Sequence, residues 1–224
     1  MEAILSETEL RVAGALVEKA LTTPDYYPMT LNALVAACNQ KSNRHPVVSY
    51  DDKTVARALE GLREKGFANR ITSQDARVPK YQHNLPEKLD LDLPQLAVLC
   101  VLMLRGPQTV GELRGRTGRM HSFQSLEEVE QVLAALISRE DQPLVKQLPR
   151  QPGRKESRYA QLLAGEPRTD TQPEAQADIR LETATQEVLA DAARIEQLES
   201  DVARLEEELG ELKQEFLAFR KQFE

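Results

Sequence analysis

The chain has 224 residues, 41% hydrophobic and 29% charged, with no Trp, two Cys and a formal net charge of −7. This length predicts two domains of about 80 residues plus a tail, each with a core small enough to need packing or dimerisation for support. Aromatic residues at 4% leave little stacking surface for single-stranded nucleic acid. No uncharged apolar run approaches the roughly 20 residues that span a bilayer, and MEAILSETEL lacks the pattern of a leader peptide, so a cytoplasmic, membrane-free protein is expected.

Ser6 or Thr8 opens the first predicted helix, with Leu10, Ala13, Leu16 and Val17 as its core stripe to about Leu21. Pro24 and Pro28 bracket an irregular connection before Thr30 caps a helix from Leu31 to about Cys38. A polar loop, Asn39 to Pro46, leads to the strongest amphipathic stretch, Asp51 to Gly66. There Val55, Ala58, Leu59 and Leu62 share one face, and Lys53, Arg57, Glu60 and Glu64 the other. Phe67 to Thr72 and Arg77 to Tyr81 suit a β-hairpin, which completes a first module over 1–85.

The second module, 86–165, repeats the plan. Its helices are predicted over Gln95–Leu104, from a Thr109 cap towards Arg116, and from Ser125 to about Arg139; its hairpin strands cover 143–148 and 157–162. Val55 to Leu62 matches Val129 to Leu136 at an offset of 74, Thr30-Leu31 matches Thr109-Val110 at 79, and Tyr81 matches Tyr159 at 78. Drifting offsets place the insertions and deletions in loops, as expected of one supersecondary plan used twice. Three helices followed by a hairpin, twice, predicts a mainly α chain of two tandem winged-helix domains.

From 166 to 178 the composition turns to Pro, Thr, Gln and Glu, a linker. Over 179–224 Ile195, Leu198, Val202, Leu205, Leu209, Leu212, Phe216 and Phe219 recur at alternating spacings of three and four, the seam of a C-terminal coiled coil. β-branched residues at 195 and 202 with Leu at 198, 205 and 212 favour a parallel homodimer; the alternative is a lone helix folded back on the modules. Residues 166–224 carry 7 Lys/Arg against 16 Asp/Glu, whereas residues 1–84 carry 11 against 10 and residues 94–165 carry 10 against 7. The acidity therefore belongs to the tail, and the modules are mildly basic.

Longer polar strings carry a family likeness. Thr22-Thr23-Pro24, Tyr27-Pro28, Asn32, Ala37 to Val47, Arg77 to Tyr81, Leu104 to Thr109, Gly111 to Arg114, and Pro152-Gly153-Arg154 with Ser157-Arg158-Tyr159 resemble the YceH-like bacterial proteins over about residues 6 to 165. The resemblance implies two winged-helix domains and no established activity.

Winged helices commonly lay the third helix in the major groove of duplex DNA and the wing on its backbone. The expected phosphate contacts are Lys41, Asn43 and Arg44 in the first loop, Lys53 and Arg57 on the third helix, and Arg70, Arg77 and Lys80 on the wing. In the second module they are Arg114, Arg116 and Arg119 after the second helix, and Arg150, Arg154, Lys155 and Arg158 on the wing. Ordinary surface charge with intramolecular pairing is the alternative. The third helix of the second module offers Glu127, Glu128, Gln131 and Ala135, which a phosphate lattice repels, so protein partners are the rival to DNA. His45, His83 and His121 lack ligand spacing, Cys38 and Cys100 sit in apolar helices, and no phosphate-cradling glycine loop or nucleophile elbow is present. No enzyme activity, metal or cofactor is expected.

Overall fold

The computed structural model describes residues 4–71, 78–150, 153 and 156–166. The heptad seam from Ile195 to Phe219 lies outside these residues, as do Arg77, Arg154 and Lys155.

The described chain is mainly helical, with two small antiparallel sheets. Ser6 opens helix α1, Glu7–Thr22, in a reciprocal box: its hydroxyl accepts from the Glu9 amide, and the Glu9 carboxylate accepts from the Ser6 amide. Strand β1, Met29–Thr30, runs into α2, Leu31–Cys38, capped by Thr30. Asp51 caps α3, Asp52–Glu64, by accepting from the Thr54 amide at 2.8 Å. Val55, Ala58, Leu59 and Leu62 are its buried residues, the stripe expected from the sequence. At φ +77°, Gly66 makes the left-handed turn out of α3 that an L side chain would strain. Strands β2, Ala68–Ile71, and β3, Lys80–His83, follow, and the sheet order is β1-β3-β2.

A short helix α4, Leu85–Leu89, connects to α5, Leu93–Arg105, which opens on an Asp92/Gln95 box. Then come α6, Val110–Thr117, capped by Thr109, and α7, Leu126–Ile137, capped by Ser125. Strands β4, Val145–Gln147, and β5, Tyr159–Gln161, pair antiparallel. The sequence repeat is also a repeat of register. Met29 on β1 pairs with Tyr81 on β3, and Gln108, which likewise precedes a helix-capping Thr, bridges to Tyr159 on β5.

The two halves share one core. Leu96 to Leu104 of α5 are all buried, and a helix apolar on every side must be covered on every side. It packs against α1 on one side and against α6 and α7 on the other. The α1–α5 crossing is centred on Gly14: a Cβ there would stand 2.9 Å from the Leu104 side chain, and the Gly14 carbonyl accepts from the Cys100 thiol. The Leu163 carbonyl, just past β5, accepts from the Ile4 and Leu5 amides, and the Leu104 carbonyl accepts from the His45 amide. Both ends of the described chain and the loop before α3 are thereby fixed to the other half.

Candidate nucleic-acid interface

The exposed face of α3 carries Lys53 and Arg57 one turn apart, with Ala56, Glu60 and Glu64. Glu60 is engaged by Arg63 at 2.6 Å, while Lys53 and Arg57 have no ion-pair partner among the described residues. Arg70 and Lys80 are exposed at the open end of the β2–β3 ribbon. Arg70 stands opposite Tyr81, and Lys80 opposite Ile71, so the two cations leave the ribbon on opposite faces. Lys41 is exposed in the loop. The first half therefore presents Lys41, Lys53, Arg57, Arg70 and Lys80 to solvent.

Arg44 corrects the sequence reading. Expected as a loop cation, its side chain is 0% exposed and is seated on Glu18, itself 12% exposed, through two bonds of 3.0 and 2.6 Å. It also donates to the carbonyl of Ala37 at 2.9 and 3.1 Å, and to Gln40. Burial raises the Glu18 carboxyl, but the guanidinium outweighs it and holds the group below the usual carboxylate range. Arg11, also buried, donates to the carbonyls of Cys38 and Pro46. Asn39 bonds the backbone of Tyr50 in both directions at 2.8 Å, closing the loop immediately before α3. The polar string therefore fixes how the loop delivers α3, and Arg44 is unavailable to a phosphate.

Of the five expected cations of the second half that lie among the described residues, three are spent at home. Arg114 donates to the carbonyls of Phe123 and Gln124, tying the α6–α7 loop. Arg158 donates to the Pro107 carbonyl at 2.8 Å and to Glu112 at 3.0 Å, and Arg116 reaches the same carboxylate at 3.5 Å. Asn43, expected as a phosphate contact, instead accepts from Arg105. Arg119 and Arg150 are exposed without an ion-pair partner among the described residues. The exposed face of α7 shows Glu127, Glu130, Gln131, Ala134 and Ala135, with Leu126 43% exposed at its start. No Lys or Arg lies on that helix.

Among the described residues, no cluster of His, Cys, Asp and Glu would hold a metal ion, and no helix is long and apolar enough to cross a membrane. Cys38 and Cys100 are buried, and burial pushes the Cys38 thiol up to about 12.

Comparison with known proteins places these features in a family. A family described as "Protein of unknown function, DUF480" matches residues 5–154. The chain is 53% identical to a UPF0502 protein of Geotalea uraniireducens over 224 residues, covering 100% of both. It is 62% identical to a UPF0502 protein of Citrifermentans bemidjiense over 167 residues, covering 75% of this chain and 77% of that one. A UPF0502 protein of Opitutus terrae is 59% identical over 162 residues, 72% and 70% of the two chains. The likeness to the YceH-like proteins carried by the polar strings is upheld, and the chain belongs to the DUF480 family of UPF0502 proteins.

Proposed function

We propose that the chain is a non-enzymatic, cytoplasmic, DNA-associated regulatory protein built on two winged-helix modules. In this reading its duplex contacts come from the first module. The observation that carries it is the difference between two equivalent helices. Lys53 and Arg57 of α3 are exposed and unpaired among the described residues, whereas α7 offers Glu127 and Gln131 at the matching positions. With Arg70 and Lys80 on opposite faces of the ribbon, the first module offers four exposed cations, a set suited to backbone contacts that hold a duplex without reading bases. The heptads of the tail support a parallel homodimer that would present two such surfaces.

The test is fluorescence anisotropy of the full chain with a random-sequence duplex across a salt series. Four phosphate contacts give a log–log slope of about −3.6, at about 0.9 per contact. Replacing Arg57 and Arg70 with Ala lowers its magnitude by about 1.8. Absence of binding at low salt overturns the reading. The acidic α7 face supports a second reading, a scaffold that binds protein. Nuclease-resistant capture of a partner, lost on Glu127→Lys, would favour it.

A further inference from the structure

The turn between α5 and α6 gathers more guanidinium charge than it balances. Glu112 is the carboxylate shared by Arg158 at 3.0 Å and Arg116 at 3.5 Å, and its Oε2 also accepts from the Thr109 amide at 2.8 Å. Arg105, the last residue of α5, stands at the same turn with Asn43 as its acceptor. Burial depresses the Arg105 guanidinium, and the neighbouring charges of Arg116 and Arg44 depress it further. Because Arg44 is matched by Glu18, the remaining account is three arginines against one carboxylate, an excess of two positive charges.

The donors are not exhausted either. A guanidinium carries five N–H groups. Among the described residues, Arg105 donates only to Asn43, Arg158 uses only Nη1, and Arg116 makes no bond closer than its 3.5 Å contact. Arg105 and Arg158 are half-buried and Arg116 is exposed, so the three side chains remain within reach of solvent.

We propose that Arg105, Arg116 and Arg158 bind a free phosphate-sized dianion at the junction of the two modules. Two charges on the anion neutralise the local excess, and planar forks suit its oxygens. Arg105 holds the Asn43 loop of one module, and Arg158 holds the α5–α6 turn of the other through Pro107 and Glu112, so an anion shared by the arginines strengthens that junction. This site is independent of the duplex reading, which rests on α3 and the first ribbon.

The test is a titration of the full chain with inorganic phosphate at constant ionic strength, followed by isothermal calorimetry and by thermal unfolding, with chloride as the matched control. Saturable binding and a rising Tm are expected with phosphate and not with chloride. Arg105→Gln, which keeps a donor for Asn43, and Arg116→Gln each weaken binding about tenfold, the value of one lost charge-assisted bond. Arg119→Gln leaves it unchanged. Glu112→Gln is decisive: Gln still completes the cap with Thr109, yet it releases Arg116 and Arg158, so affinity rises several-fold. A purely structural cluster would not bind more tightly after losing its carboxylate. A phosphate effect equal to that of chloride overturns the proposal, as does a Glu112→Gln affinity no higher than the parent's. Loss of duplex binding in Arg105→Gln also overturns it, because the cluster would then serve backbone phosphates.

Discussion

Replacing Arg44 with Met removes one partner of a pair that is almost wholly out of water. An exposed ion pair contributes about 0–1 kcal/mol, but stranding a buried charge costs about 3–5 kcal/mol. The Arg44 side chain is 0% exposed, so the larger figure applies. The Ala37 carbonyl also loses its guanidinium donor. Against a domain stability of about 5–15 kcal/mol, this is a fifth or more of the total. With an m-value of about 2 kcal/mol/M, the urea midpoint of the full chain, followed by far-UV circular dichroism, falls by about 1.5–2.5 M. The pH response changes sign as well. In the parent the Glu18 carboxyl is depressed, so its contribution is present above the unfolded carboxylate pKa and is lost as pH falls through the folded one. Without Arg44, burial dominates and raises the carboxyl; stability is then retained at low pH and lost as pH rises. The double variant Glu18→Leu with Arg44→Met recovers at least half of the loss, because no charge remains buried. A midpoint shift below about 0.5 M, or no recovery in the double variant, refutes this account.

Three further outcomes follow from the core. Gly14→Ala places a methyl 2.9 Å from the Leu104 side chain and 3.2 Å from Met103. Overpacking of about 1–3 kcal/mol outweighs the roughly 1 kcal/mol gained in helix propensity, so thermal unfolding comes earlier; a raised Tm would contradict it. Cys38 and Cys100 stay unreactive to a thiol reagent in the native chain and titrate as two equivalents in denaturant, because burial raises both thiols. His83 is held neutral, its pKa lowered to about 4 by burial, so it contributes stability that is full above the unfolded value and lost as pH falls from about 6.5 towards 4. His83→Gln flattens that part of the stability–pH curve, and an unchanged curve would exclude the assignment.

What the sequence made legible were features set locally. The caps at Thr30 and Thr109 and the stripe of α3 depend on neighbours three or four residues away and are where the pattern put them, and of the pair Ser6 and Thr8 it is Ser6 that caps α1. Helix α4 was missed because its cue was slight: one Pro at its start in a stretch of five residues. The fate of the arginines was illegible for a different reason. Arg44 meets a carboxylate 26 residues away, and Arg158 meets one 46 residues away. Such partners appear only once α1, α5 and α6 are packed. A cation in a polar loop and a cation closing a buried loop look alike in one dimension; the useful hint was that Glu18 directly follows the apolar stripe Leu10, Ala13, Leu16 and Val17 of α1.

Equivalent helices with unlike outer faces allow the duplex reading to be tested by adding contacts as well as removing them. Helices α3 and α7 bury the same four-residue pattern, Val55/Ala58/Leu59/Leu62 against Val129/Val132/Leu133/Leu136, differing only in that Val132 is partly covered. Their exposed positions diverge at Lys53 against Glu127 and Arg57 against Gln131. Both second-half positions are solvent-facing, so Glu127→Lys with Gln131→Arg leaves the buried stripe untouched, and stability should change by no more than about 0.5 kcal/mol beyond the loss of the helix-start carboxylate. If charge at these positions is what separates the modules, the double variant gains duplex contacts through α7. The log–log salt slope then steepens by about 0.9 for each added phosphate, and low-salt affinity rises. An unchanged slope would mean that charge at these positions does not decide which module takes the duplex. The distinction would then have to lie in the ribbons, where Arg70 and Lys80 stand on opposite faces.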